Sequence, residues 1–332
     1  MPSLADALAT ELEKRIPDGY SQIETIFFGG GTPSLLPREV WKKLAKRVAE
    51  VAGTQLVEWS IETNPRTFDE RKAEEWLESG VTRASLGVQS FDATVLETLG
   101  RDHSSDEASE SARVLKNAGF AKVSLDLMFA IPGQSLDSWR ASLEQAIALE
   151  PDHISTYNLT YEEDTEFLSR FEEGEWSQDP DRDAEYFALA HEVLESAGFE
   201  HYEVSNYAKP DSRSLHNQAY WSGADYLGIG PSAVSTICGE RSKNVANTET
   251  YVEMVAKVGH ALDEVEILSE EDQRLERVAL GLRTQTGLPV PEFDGEFLKH
   301  LSDENLIVVA EGRVRLTLSG MMVADEIAGY LV

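Results

Sequence analysis

The sequence predicts an α/β protein built on a mainly parallel sheet, and three observations predict it. Short β-rich runs alternate with amphipathic helical stretches, several of those stretches end in a glycine, and most runs are followed at once by a polar or glycine-rich turn. The runs are Ile23–Phe28, Leu56–Glu62, Arg83–Val88, Lys122–Met128 and His153–Leu159, with a sixth, His201–Tyr207, standing apart. Between them lie helical patterns over Arg38–Val51, Asp69–Ser79, Asp106–Ala118, Ser135–Leu149 and Pro180–Ala197, with Gly80, Gly119 and Gly198 at helix-stop positions. Strands separated by helices of this length make βαβ units with right-handed crossovers. In such folds sites are assembled at the carboxyl ends of the strands.

The segment from Glu264 onward has another rhythm. Helical patterns over Ser269–Arg283 and Val290–His300 precede Leu306–Val309 and Val314–Leu318, which flank the hairpin signal Glu311-Gly312; a last helix follows. The expectation is a larger unit over residues 1–263 and a small winged-helix-like α+β unit over 264–332.

Composition narrows the function classes. The chain has 332 residues, with 60 Asp and Glu against 29 Lys and Arg, a formal net charge of −31. Such acidity argues against nonspecific nucleic-acid binding, which rests on neutralising phosphates with basic side chains. The acidic residues are spread along the chain, as on a solvated acidic surface, with adaptation to high salt as the alternative. No apolar run reaches the roughly 18–20 residues of a membrane span. The one cysteine, Cys238, excludes an internal disulfide, argues for a reducing, cytoplasmic location, and excludes a metal site built from several thiolates of this chain.

Four groups of residues could carry chemistry. The Gly29-Gly30-Gly31-Thr32-Pro33 turn lets backbone N–H groups approach a ligand, but it is neither a dinucleotide fingerprint nor a P-loop, and a plain tight turn explains it as well. Glu62 closes a strand and Asp126 interrupts an apolar run, so each carboxylate needs a partner, whether ligand or backbone. Gln89 and Arg101 are ligand contacts or ordinary polar residues after a strand and a helix. In His216-Asn217-Gln218-Ala219-Tyr220-Trp221, an imidazole stands beside aromatic residues that could cover a macrocycle; an aromatic cluster with a hydrogen-bonded histidine is the other reading.

Taken in order, FFGGGTPSLL, IETNP, GVTRASLGVQSFD, LGRDH, VSLDLMFAIPGQS, HISTYNLT, HYEVSNYAKP, HNQAYW and DYLGIGPSA carry a resemblance. From about Gln22 onward the chain resembles the radical S-adenosylmethionine (SAM) proteins related to oxygen-independent coproporphyrinogen III oxidase, and within them the haem chaperone branch. The resemblance implies a partial (β/α) barrel, open on one side, with the small C-terminal unit. It implies that Gly30, Gly31 and Thr32 form the SAM-binding turn and that Glu62, Gln89, Arg101 and Asp126 line the SAM site. HNQAYW matches the HNxxY pattern of the chaperone branch, making His216 the candidate haem ligand, with Tyr220 beside it. The function implied is to bind haem and deliver it to haem proteins, respiratory ones among them. The alternatives are oxidative decarboxylation of coproporphyrinogen III, and a cluster-free haem-binding homologue.

The family also binds a [4Fe-4S] cluster through CxxxCxxC ahead of the glycine turn, and nothing before Gly29 here contains a cysteine. Leu4–Arg15 looks like the helix that follows the missing strand. The expectation is that a βα unit carrying those cysteines precedes Met1, the alternative being a homologue without the cluster.

Overall fold

A computed structural model of the chain describes residues 3–16, 23–159, 169, 176 and 179–331. Gln22 and the last residue of HISTYNLT lie outside the described residues. Strands β1 (Thr25–Phe28), β2 (Glu58–Thr63), β3 (Arg83–Gln89), β4 (Lys122–Phe129) and β5 (His153–Asn158) pair in parallel and in chain order. Helices α1 (Leu4–Arg15), α2 (Arg38–Ala52), α3 (Glu70–Glu78), α4 (Ala93–Thr98), α5 (Ser105–Ala118), α6 (Leu136–Ala148) and α7 (Pro180–Ser196) complete the alternation. Their starts follow local chemistry: Ser104 and Glu107 form a capping box on α5, Ser135 caps α6, and Gly119 ends α5 at φ 99°.

The sheet has two unlike faces. Trp59, Ile61, Ala84, Leu86, Val88, Val123, Leu125, Leu127 and Ile154 point outward into one core with Trp41, Trp76, Leu115, Trp139 and Leu194 of the helices. The alternate residues, Glu58, Ser60, Glu62, Arg83, Ser85, Ser124, Asp126, His153 and Ser155, share the other face, because side chains alternate along each strand. Parallel sheets covered by helices on both faces are apolar throughout. Here the second face is polar, and the sheet curls around it as a half-barrel.

The sixth run is a correction. It is not one strand but a hairpin of β6 (Glu200–Glu203) and β7 (Asn206–Ala208), with β7 antiparallel to β5 and β6 at the sheet edge. Glu203 Oε2 accepts from the Ser205 N–H at 2.8 Å and from Asn206 Nδ2 at 2.6 Å, which holds the reversal at Val204-Ser205. Helix α8 (Leu215–Trp221) follows, then an antiparallel sheet of β8 (Val234–Ile237), β9 (Glu240–Asn244) and β10 (Leu262–Ile267), with α9 (Thr248–Val258) between the last two. Buried Glu11 of α1 anchors this sheet: it accepts from the Gly230 N–H at 2.9 Å, Asn244 Nδ2 at 2.8 Å and the Tyr251 hydroxyl at 2.6 Å.

Glu264 lies inside β10, opposite Lys243, so a division at that residue would cut a sheet. The C-terminal core is built by α10 (Glu270–Leu282), β11 (Leu288–Pro289), α11 (Gly295–Asp303), β12 (Ile307–Ala310), β13 (Arg313–Leu316), α12 (Leu318–Met322) and α13 (Ala324–Leu331). Its hairpin turns at Glu311 (φ 55°) and Gly312 (φ 73°), the two positive angles of a two-residue turn. Arg283 joins the unit to the β6–β7 hairpin through Glu203 at 3.1 Å.

Burial holds His201 neutral, with its pKa pushed down to about 4, and pushes His153 down as well. An unfolded histidine titrates near 6.5. Between pH 6.5 and about 4 the unfolded chain therefore takes up a proton that folded His201 refuses, and stability falls as pH falls. The His201 contribution is roughly 3 kcal/mol across that window. Unfolding midpoints of His201→Gln should fall less steeply with acid than those of wild type.

Candidate functional site

The half-barrel's polar face carries two clusters at different heights. The upper one lies at the carboxyl ends of the strands. The Gly30 N–H (φ 73°) donates to Glu62 Oε2 at 3.2 Å, tying the glycine turn to the end of β2. Gly29 leaves no room for a side chain: a Cβ there would stand 2.9 Å from the Glu62 carboxyl carbon. Asp126 faces Gly87 across β3 and β4, and its Oδ2 accepts from the Ser85 hydroxyl at 2.7 Å. Its Oδ1 is buried with no hydrogen-bond partner among the described residues. Gln89 sits at a register shift after Gly87, in the left-handed region at φ 64°, and its Nε2 closes over Gly87. Thr32 opens the short turn Pro33–Leu35, and exposed Arg101 closes α4 by donating its N–H to Leu96; neither forms a hydrogen bond or ion pair with the carboxylates among the described residues.

Burial pushes the Glu62 carboxyl up, the nearby Asp126 charge adds to this, and the Gly30 N–H pulls it back. Burial also raises the Asp126 carboxyl, against the Ser85 hydroxyl. Two like-charged carboxylates, one with an orphaned oxygen, beside a glycine turn suit an organic cation bearing hydroxyls. SAM is such a molecule, with a sulphonium, an ammonium and a ribose diol, and these residues fit it. Raised carboxyl pKa values mean that the unliganded fold gains stability as pH falls through them and loses it as pH rises. Asp126→Asn should therefore raise the unfolding temperature of the free protein at pH 7 while weakening binding of the ligand.

An iron–sulphur cluster is a different case. Cys238 is exposed in the β8–β9 turn and donates its N–H to Asp225 at 3.0 Å, and no group of three metal-ligating side chains occurs among the described residues. One thiolate does not supply the three that such a cluster takes. Reconstitution of this chain with iron and sulphide is expected to yield no stoichiometric cluster, checked by iron content and visible absorbance.

The lower cluster surrounds His216, the second residue of α8. Ser214 caps the helix by accepting the Asn217 N–H at 3.3 Å, and buried Glu58 of β2 accepts the N–H groups of Leu215 and His216 at 3.1 and 3.0 Å. The imidazole stacks on Phe27 with centroids 5.2 Å apart, and Tyr220 lies against it at 5.3 Å. Its Nδ1 is 2.9 Å from the Thr25 hydroxyl, while Nε2 has no hydrogen bond among the described residues. Burial pushes the His216 pKa down, opposed by Glu58, which favours the neutral ring that binds metals. Phe27, Leu215 and Tyr220 leave exposed apolar surface around the ring.

The structure thus brings Gly30, Glu62, Gln89 and Asp126 to one rim and His216 with Tyr220 to another place. Glu58 and Glu62 mark the two levels along β2, separated by roughly 13 Å of extended strand. Sequence reasoning missed Thr25, Phe27 and Glu58. Their signal was the alternation itself, which places all three on the polar face.

Residues 5–146 match the Radical SAM superfamily. The chain is 34% identical over 325 residues to the haem chaperone HemW of Bacillus subtilis, covering 94% of this chain and 86% of that one. It is 38% identical over 232 residues to Escherichia coli HemW, covering 69% and 60%. It is 30% identical over 333 residues to radical S-adenosyl methionine domain-containing protein 1, mitochondrial, of Bos taurus, covering 93% and 75%. Among solved structures, E. coli coproporphyrinogen III oxidase (HemN) shares the fold with a TM-score of 0.82 at 23% identity, over 98% of this chain and 82% of that one. With the polar half-barrel, the glycine turn and the HNxxY helix in place, the chain belongs to the HemW haem chaperone family of radical SAM proteins.

Proposed function

We propose that the chain binds haem through Nε2 of His216 and delivers it to haem proteins, respiratory ones among them, while the upper rim binds SAM through Glu62, Asp126 and the Gly30–Thr32 turn. The observation that carries the haem reading is the state of the His216 ring: Nδ1 is engaged by Thr25, Nε2 is unengaged, and Phe27 and Tyr220 flank the plane. A ligating histidine is oriented by what its other nitrogen bonds, and Thr25 does that here. The surrounding apolar surface is what a macrocycle needs.

In the upper rim, Gly30 and Asp126 orient the ligand and Glu62 meets its positive charge. SAM supplies a reductively cleavable C–S bond when a reduced cluster accompanies it. The haem role is one of binding and transfer. Absorbance titration with haem tests it: stoichiometric binding with a histidine-ligated Soret band in wild type, lost in His216→Ala, is expected. Equal binding by both proteins would remove His216 from the site.

A further inference from the structure

Glu58 is only 3% exposed and forms no ion pair among the described residues, so it is an unusual place for a carboxylate. Both of its oxygens accept backbone N–H groups, from Leu215 and from His216, and the Ser60 hydroxyl donates to Oε1 at 3.4 Å. Three donors converge on the two oxygens and no acceptor faces them among the described residues, the arrangement that suits a carboxylate. The nearest lumen cation by register, buried Arg83, stands beside Ser60 and gives its Nη1 to the Ser212 carbonyl at 2.9 Å. A negative charge is therefore fixed at the base of the helix turn that carries His216, and it already acts on the imidazole.

A fixed charge in a poorly screened place stabilises the neighbouring ion state of higher opposite charge. Ferric haem carries one more positive charge than ferrous haem. We propose that Glu58 makes this a ferric-haem site, holding His216 in position by its two backbone hydrogen bonds and biasing the bound iron by its charge. This rests on the reading of His216 as the haem ligand. The backbone N–H groups of α8 offset part of the field, but removal of Glu58's charge changes it by a full unit whatever offsets the rest. Phe27 and Tyr220, which by exclusion of water favour the ferrous state, are themselves 36% and 39% exposed and leave solvent at the ring.

The test is a spectroelectrochemical titration of haem bound to wild type, Glu58→Gln and Glu58→Asp, alongside ferric and ferrous affinities for wild type. Glu58→Gln is expected to lower the ferric-to-ferrous affinity ratio about tenfold, a rise of about 59 mV in midpoint potential. Glu58→Asp, which keeps the charge, should stay near the wild-type potential; a purely structural role would move both variants alike or neither. An unchanged midpoint in Glu58→Gln with the histidine-ligated spectrum intact overturns the proposal. If Glu58→Gln does not fold, the wild-type affinities decide: tighter ferric binding supports the proposal, and equal or tighter ferrous binding overturns it. Haem binding indifferent to His216→Ala would instead overturn the reading beneath it, so the two failures are distinct.

Discussion

Glu11→Ala is expected to lower the unfolding free energy by about 3–5 kcal/mol, measured by urea denaturation. Glu11 is buried, and its oxygens take the Gly230 N–H, the Asn244 amide and the Tyr251 hydroxyl, with Arg15 at 3.7 Å. Truncation leaves three donors in a dry place with nothing to accept them. The damage should be local at first: amide hydrogen exchange in β8, β9 and α9 should speed up before it does in β3 and β4. Glu11→Gln keeps the shape but puts a donor where an acceptor is required, so it should fall between wild type and alanine. A cost below about 1 kcal/mol for the alanine variant would mean that water replaces the carboxylate.

Trp59→Ala should cost a similar amount, about 3–5 kcal/mol, for a different reason. Trp59 is buried on the outer face of β2, with Phe28 at 5.7 Å and Trp41 at 6.1 Å between ring centroids. Its removal opens a cavity between the sheet and α2 that rigid neighbours cannot fill. The indole Nε1 of Trp59 has no hydrogen-bond partner among the described residues. Trp59→Phe therefore loses volume but also removes an unsatisfied donor, and should cost much less than alanine. If phenylalanine and alanine cost the same, packing is not what Trp59 contributes.

Much of the fold was legible because most of the parallel strands are apolar on every second residue, and β2, β3 and β4 lead into helices capped by Asp69, Asp92 and Ser135. Arg83–Val88 and Lys122–Met128 name strands that end one residue later in the structure. The β6–β7 hairpin was not legible: its turn depends on Glu203 bonding forward to Ser205 and Asn206, and HYEVSNY otherwise alternates like one strand. The β8–β10 sheet was hidden for another reason. ERSKN and LDEVEI are rich in charge, LDEVEI is mostly exposed and what ERSKN buries is polar, Ser242 and Asn244, so no apolar face announces them.

The site divides in the same way. Glu62 and Asp126 stand out because a carboxylate among apolar strand residues demands a partner. Thr25 and Glu58 do not, since what matters about them is a contact across more than 150 positions of chain with His216. Local sequence carries no trace of such a contact. The HNxxY pattern points to the histidine and is silent about what aims it.

Trp41, Trp59 and Trp76 stand within 6.1–6.3 Å of their neighbours in the cluster, on the outer side of the strands whose inner side holds His216 through Thr25 and Glu58, and Trp221 ends the HNxxY helix itself. Haem absorbs where tryptophan emits. Emitters one sheet away from the macrocycle would be quenched by energy transfer whenever the place is filled. The chain thus contains its own optical reporter: darkening would count occupancy without a label, and the return of emission would time the hand-over of haem to an acceptor.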